Sequence, residues 1–168
     1  VMVVGGGGRE HAIIKALKKN PAITTLYALP GNGGIAADAT CVEIGAKDLD
    51  GIVAFATSHA IDFAVVAPDD PLVLGAVDRL EAVGIACFGP RKNAAILEGS
   101  KIFSKNLMKK YGIPTAAYEV FSDADSALAY LENAPIPTVI KADGLALGKG
   151  VIIAQTREEA RQAVHSMM

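Results

Sequence analysis

The sequence predicts an α/β protein: an open, mostly parallel sheet in the first hundred residues, followed by the opening part of a second domain. Three observations predict it. Short apolar runs (VMVV, TTLYAL, DFAVVA and IACF) alternate with segments of helical spacing, and runs apolar on both faces belong to strands covered on both sides. The loops after the first three runs are rich in glycine or proline and fall at the carboxyl edge, where open α/β sheets bind ligands. Near Gly99 the alternation gives way to a long helix and a hairpin pattern. That shift places a domain boundary there and divides the chain into 1–99 and 100–168.

Each element follows from its local pattern. VMVV is a strand, and GGGGREHA turns it into a helix that continues after Arg9. TTLYAL is a second strand, ending in Leu29-Pro30-Gly31, and a helix follows Asp48 before the strand DFAVVA. After Pro71, the residues Leu72, Val73, Ala76, Val77 and Leu80 share one helical face, and proline suits a first helical position. IACF completes a βαβ series. A short helix around 93–97 leads into SKIFSKNLMKKYG, a helix with a Ser start and a Gly stop. AAYEVF predicts a strand, and SDADSALAYLENA a helix capped by Ser122 or Asp123. PTVIKA is a strand with VIIAQ as its partner, and TREEARQAVHSMM a helix opened by Thr156 and Glu159 as a capping box. With no sheet left to receive this last helix, the second domain is expected to be incomplete.

At 168 residues, 51% of them hydrophobic, the chain has ample material for a packed core. A formal net charge of −2 gives no broad attraction for nucleic acid or anionic lipid, so a small-molecule ligand fits better than a polyanion. No stretch approaches the roughly 20 apolar residues of a membrane span, and VMVV is too short for a signal peptide. Cys41 and Cys87 lie far apart without a CxxC pair or a neighbouring His, and both read as small buried apolar residues. Reduced thiols make the cytoplasm the expected location.

Strand, GGGGREHA, then helix is an arrangement that aims backbone N–H groups and a helix N-terminus at an anion. The dinucleotide fingerprint GxGxxG fails in each register, because it would need glycine at Glu10 or at His11, and no acidic residue ends the second strand to hold a ribose. Phosphate or phosphoribosyl binding is therefore better supported than NAD binding. The alternative is that the four glycines only make a tight turn. PGNGG at 30–34 and APDDP at 67–71 reach the same sheet edge. Asp69 and Asp70 either accept hydrogen bonds from hydroxyls or an amine, or stabilise the N-terminus of the following helix through its dipole. His11 either contacts an anion from the first helical turn or is structural, and His59 and His165 receive no role.

Residues 141–151, KADGLALGKGV, are not a Walker A loop. Only three residues separate Gly144 from Gly148, and Gly150 follows Lys149 where Ser or Thr belongs. Lys141 closes an apolar run, and a lysine in a strand that reads as buried needs a partner for its charge, which a ligand phosphate would supply. Lys101 opens a helix after Gly-Ser, and Lys149 in a glycine-flanked loop can close over a phosphate. The alternatives are a snorkelling Lys101, an edge-strand Lys141 and a plain hairpin Lys149.

GGGGREHA, PGN, PLV with GAVD, FGP, LEGSK with its following YGIPTA, and VIKADGLALGKGV stand in the order and spacing of the phosphoribosylamine–glycine ligase family. The chain resembles that family, a branch of the ATP-grasp superfamily, over all 168 residues. The resemblance implies a Rossmann-like, pre-ATP-grasp domain that binds phosphoribosylamine, followed by the first part of an ATP-grasp domain. It implies that Lys101 and Lys141 contact ATP phosphates, with Lys149 beside them as a third catalytic cation. The loop 143–150, with Asp143, Gly144, Gly148 and Gly150, would cover the nucleotide. Gly6, Gly7, Gly8, Arg9, Glu10, His11, Gly31, Asn32, Pro68, Asp69 and Asp70 would line the phosphoribosylamine side. The family commonly carries Glu-Ala where this chain has Asp69-Asp70. The implied reaction joins glycine to 5-phosphoribosylamine through a glycyl phosphate at the expense of ATP, in purine biosynthesis. Mg²⁺ or Mn²⁺ would be held by carboxylates expected beyond residue 168, and the 168 residues alone are expected to be inactive.

Overall fold

The computed structural model describes residues 1–146 and 150–168 and falls into two compact units, Val1–Gly99 and Ser100–Met168. In the first unit, β1 (Met2–Gly5), β2 (Tyr27–Pro30), β3 (Thr40–Cys41), β4 (Phe63–Val66) and β5 (Ala86–Phe88) form a parallel sheet in the order β3-β2-β1-β4-β5. β1 lies in the middle, with Val4 opposite Leu29 on one side and Val66 on the other. The connections leaving β1 and β4 therefore run to opposite sides of the sheet. That reversal opens a crevice beyond the carboxyl end of β1.

Alternate residues of β1 feed opposite faces, as the period of a strand requires. Met2 and Val4 pack with Leu29, Ile52, Val66 and Leu80 on one side. Val3 packs with Ile14, Ala28, Ile35 and Val65 on the other. Helix α1 (Gly8–Leu17) and a 3-10 turn at Ile35–Ala37 cover the second face, while α2 (Leu49–Ser58), α3 (Asp69–Leu74), α4 (Ala76–Ala82) and α5 (Lys92–Gly99) cover the first. Burying one such aliphatic side chain contributes about 1.5–3 kcal/mol.

Three expectations for this unit are corrected. The helix assigned to follow Pro71 begins at Asp69, so proline is its third residue, which is tolerated because no N–H in the first turn has an intrahelical acceptor. Gly75, at φ 97°, then ends α3 and starts α4. The shared apolar face is thus split over two short helices, although Leu72, Ala76, Val77 and Leu80 still meet in one core cluster. Cys41 and Cys87 are free but only half-buried, because they sit on β3 and β5, the two edges of the sheet. Burial pushes the Cys87 thiol up to about 11, with Glu81 adding to the shift. The sequence pattern also missed β3 and the 3-10 turn, both too short to carry a period.

In the second unit, β6 (Thr138–Lys141) and β7 (Val151–Ala154) form an antiparallel ribbon with Thr138 opposite Ala154 and Lys141 opposite Val151. Its inner face packs on α7 (Ala124–Leu131) and α8 (Arg157–Met167) through Ile140, Ala154, Ala127, Leu131, Ala160 and Val164. Asp123 caps α7 by accepting from the Ser126 N–H at 2.8 Å. Thr156 caps α8 by accepting from the Glu159 N–H, while the Glu159 carboxylate accepts from Gln155 rather than from Thr156. The capping box is displaced by one residue. Helix α6 (Lys101–Lys110) starts with Ser100 accepting from the Phe103 N–H.

The strand expected at AAYEVF is absent: among the described residues β6 and β7 pair only with each other. Side chains hold that segment instead. Lys105 donates to Thr115 Oγ1 and the Ala116 carbonyl, and the Tyr118 hydroxyl donates to Asn106 Oδ1. Among the described residues no helix is long and apolar enough to cross a membrane.

Replacing the fully buried Leu80 by alanine is expected to cost about 2–5 kcal/mol. Leu74→Ala, at a side chain 47% exposed, should cost no more than about 0.5 kcal/mol. Urea unfolding of both variants checks the contrast.

Candidate functional site

The turn after β1 is built by close approach. A methyl group at Gly5 would lie 2.8 Å from the Pro68 ring, one at Gly6 would collide with the Gly31 carbonyl oxygen, and one at Gly7 would lie 2.7 Å from Glu10 Oε2. Packing thus accounts for three of the four glycines. Gly8 differs, because a methyl there would meet nothing within 4 Å.

Glu10 is buried, and its carboxylate accepts the Gly7 N–H at 2.6 Å and Arg9 Nε at 3.0 Å. The chain's own carboxylate therefore occupies part of the positive end of α1. The Asn32 side chain is equally committed. It donates to the Gly6 carbonyl at 2.7 Å and accepts the N–H groups of Gly34 and Ile35 at 2.8 and 2.9 Å, while Gly31 N–H bonds the Gly5 carbonyl. Glu10 and Asn32 accordingly fix the two loops.

His11 Nε2 lies 3.0 Å from Asp38 Oδ2, and Lys15 and Lys18 reach the same carboxylate at 3.0 Å each. Hydrogen bonds from His11, Lys15 and Lys18 hold the Asp38 carboxyl far below the usual carboxylate range. The partner of His11 is thus an internal anion, which the sequence reading did not identify. Asp69 and Asp70 both lie in the first turn of α3 behind Pro68, and Lys47 stands 3.6 Å from Asp70. The contacts of Gly5 with Pro68 and of Gly6 with Gly31 draw Gly6, Gly7, Gly8, Arg9, Gly31, Asn32 and the 68–70 turn to one end of the sheet.

In the second unit, Lys101 Nζ donates to the Gly144 carbonyl at 2.6 Å. The Asp143 carboxylate accepts from Ser100 Oγ at 3.1 Å and from the Ile102 N–H at 3.2 Å. Burial pushes the Asp143 carboxyl up, but donors at Ile102, Ser100, Gly144 and Lys101 outweigh it and leave the group below the ordinary value. No local pattern marks this joint beyond the Ser start of the helix.

Lys141 corrects an expectation. It is exposed, not buried, because its side of the ribbon is the uncovered one, shared with Val139 at 50% and Ile153 at 62% exposure. Its charge is therefore met by solvent, and burial does not demand a phosphate partner. Gly150 continues the ribbon by accepting from the Ala142 N–H. Gly148 and Lys149 lie outside the described residues. Among the described residues no group of three or more His, Cys, Asp or Glu side chains is placed to hold a metal ion.

Comparison with known proteins adds an independent line. Residues 1–98 match the family profile "Phosphoribosylglycinamide synthetase, N domain", and residues 99–168 match "Phosphoribosylglycinamide synthetase, ATP-grasp (A) domain". The chain is 48% identical to a phosphoribosylamine–glycine ligase of Yersinia pestis over all of its length and 40% of the relative's. It is 52% identical to one of Agrobacterium fabrum, covering 98% of this chain and 39% of that one. The crystal structure of phosphoribosylamine–glycine ligase from Thermotoga maritima superposes with a TM-score of 0.74 at 36% identity, over 96% of this chain and 37% of that one.

Asp38 makes acid stability a test of the loop architecture. A carboxyl whose folded value is lowered contributes stability above its unfolded value, and that stability drains as pH falls through the folded one. The parent is therefore expected to lose melting temperature steeply below about pH 4. Asp38→Asn should show a lower melting temperature at pH 7 and a shallower acid decline, followed by circular dichroism from pH 7 down to about pH 2.

Proposed function

We propose an ATP-dependent ligase function from one premise: the chain belongs to the phosphoribosylglycinamide synthetase family. It spans about 40% of the length of the curated relatives it matches, so it supplies part of the machinery. In this reading the reaction joins glycine to 5-phosphoribosylamine, giving glycinamide ribonucleotide, ADP and phosphate, as a step of purine biosynthesis. The first unit binds the phosphoribosylamine, and the second begins the nucleotide site. The observation that carries the reading is the turn after β1. Glu10 and Asn32 fix its backbone while Gly8 leaves open space beside it, as a phosphate approaching backbone N–H groups requires.

The chemistry explains why ATP is consumed. A carboxylate is a poor electrophile, but transfer of the γ-phosphoryl group to glycine gives an acyl phosphate with a good leaving group. The amine of phosphoribosylamine then attacks the carbonyl carbon, and phosphate departs. Lys101 and Lys141 offset charge on the phosphoryl group during transfer. Asp69 and Asp70 accept hydrogen bonds from ribose hydroxyls or the amine. The loop 143–150, including Gly148 and Lys149, covers the nucleotide and keeps water from the acyl phosphate. Mg²⁺ or Mn²⁺ supplies further charge neutralisation in this proposal, but the described residues make no site for it, and no step here depends on it. The proposed partners are small molecules, without nucleic acid or membrane, and the proposed location is the cytoplasm.

The first test is glycine-dependent ADP release with phosphoribosylamine by the whole enzyme that carries this chain. Release without dependence on glycine would overturn the assignment. Gly8→Val is expected to raise KM for phosphoribosylamine at least tenfold, roughly the worth of one charge-assisted contact, while leaving KM for ATP unchanged. Lys141→Ala should lower kcat/KM for ATP by about tenfold or more, and parental ATP kinetics would remove its role.

A further inference from the structure

Asp143 follows the ribbon strand that ends in Lys141, and the resemblance puts it in the loop that covers the nucleotide. Its carboxylate, however, is turned onto the start of α6. Oδ1 and Oδ2 accept from Ser100 Oγ at 3.3 and 3.1 Å, and Oδ1 accepts from the Ile102 N–H at 3.2 Å. Ser100 Oγ in turn accepts the Phe103 N–H at 3.1 Å. The residue between them in α6 is Lys101, whose ammonium is held at 2.6 Å by the carbonyl of Gly144, the residue after Asp143. One dipeptide, Asp143-Gly144, therefore grips both the backbone and the side-chain tip of Lys101.

Charge gives this arrangement its meaning. A carboxylate free to swing beside a lysine would pair with it and cancel the charge an incoming phosphate needs. Here the negative charge is absorbed by a helix N–H and a hydroxyl, and the lysine rests on a neutral carbonyl. Among the described residues Lys101 has no ion-pair partner. A long lysine side chain loses rotamer freedom when it is fixed, and here that cost is already met before ligand arrives.

We propose that Asp143 and Ser100 are positioning residues that present Lys101, uncompensated and pre-oriented, to a nucleotide phosphate, and that Asp143 does not itself touch the nucleotide. The inference rests on the nucleotide site proposed above. It separates two roles that a shared loop would merge: Lys101 touches the phosphate, and Asp143 acts only through Lys101.

A double-mutant cycle on the whole enzyme tests it, read as ATP dissociation constants by calorimetry, so that no step of the reaction is needed. Lys101→Ala and Asp143→Ala are each expected to weaken ATP about tenfold, and the double variant should be within about twofold of Lys101→Ala alone. Asp143→Asn keeps an acceptor for the Ile102 N–H and should stay within about threefold of the parent. Ser100→Ala, a smaller lesion at the same joint, should weaken ATP only in the presence of Lys101. Losses that multiply to about a hundredfold in the double variant, at parental melting temperatures, would overturn the inference and put Asp143 on the ligand. A parent that binds no ATP would instead remove the nucleotide reading on which the inference stands.

Discussion

The first unit depends on a carboxylate that has been taken out of water. An ionised group that is buried has to be fully paired, and Glu10 meets this demand with the Gly7 N–H and the Arg9 guanidinium. Its side chain, with the Pro68 ring, fills the space beside Gly5, and a side chain at Gly7 would have to displace its Oε2. The same shortage of space brings Pro68 against Gly5, and with it the first turn of α3. The glycines of the first loop are thus a consequence of Glu10 as much as an adaptation to a ligand. Gly6 answers instead to the Gly31 carbonyl, and Gly8 stands free of both explanations.

The order of the strands gives this constraint its location. β1 is central, and the loops that follow it and its neighbours β2 and β4 open at the same end of the sheet. In the second unit the organising contact is different in kind. There the root of a loop is fixed to the first turn of a helix through Asp143 and Ser100, by donors that carry no formal charge. Both places hold a carboxylate whose hydrogen bonds are met from within its own unit.

Much of the fold was legible in the sequence because its strands are apolar on both faces and its helices carry clear caps. VMVV and DFAVVA announce buried strands, whereas IACF, expected to be buried on both faces, forms the edge strand β5 with Phe88 68% exposed; Ser100, Asp123 and Thr156 all cap the helices that follow them. What failed did so for physical reasons. AAYEVF has strand composition, but a strand exists only where a neighbour completes its ladder. Lys141 sits in an apolar run, yet the period of a strand puts it on the ribbon's uncovered side. Gly75 splits a helix whose apolar spacing was continuous, because spacing reports which faces are covered and not whether the axis stays straight. At the candidate site, residue types singled out loops but not the pairings inside them. Pairings such as His11 with Asp38 or Asp143 with Ile102 join residues 27 and 41 positions apart, and no local pattern encodes them.

The Asn32 amide has a broader consequence. It spans the gap between the loop after β1 and the loop after β2, with its donor on one and its acceptor on the other. The separation of those loops is therefore set by the length of a hydrogen bond rather than by the bulk of the side chains that line them. A pocket wall of this kind does not widen gradually as neighbouring residues are exchanged. It either holds its spacing or lets go, so exchange of Asn32 would act on that spacing as a step, where exchange of lining side chains acts as a slope.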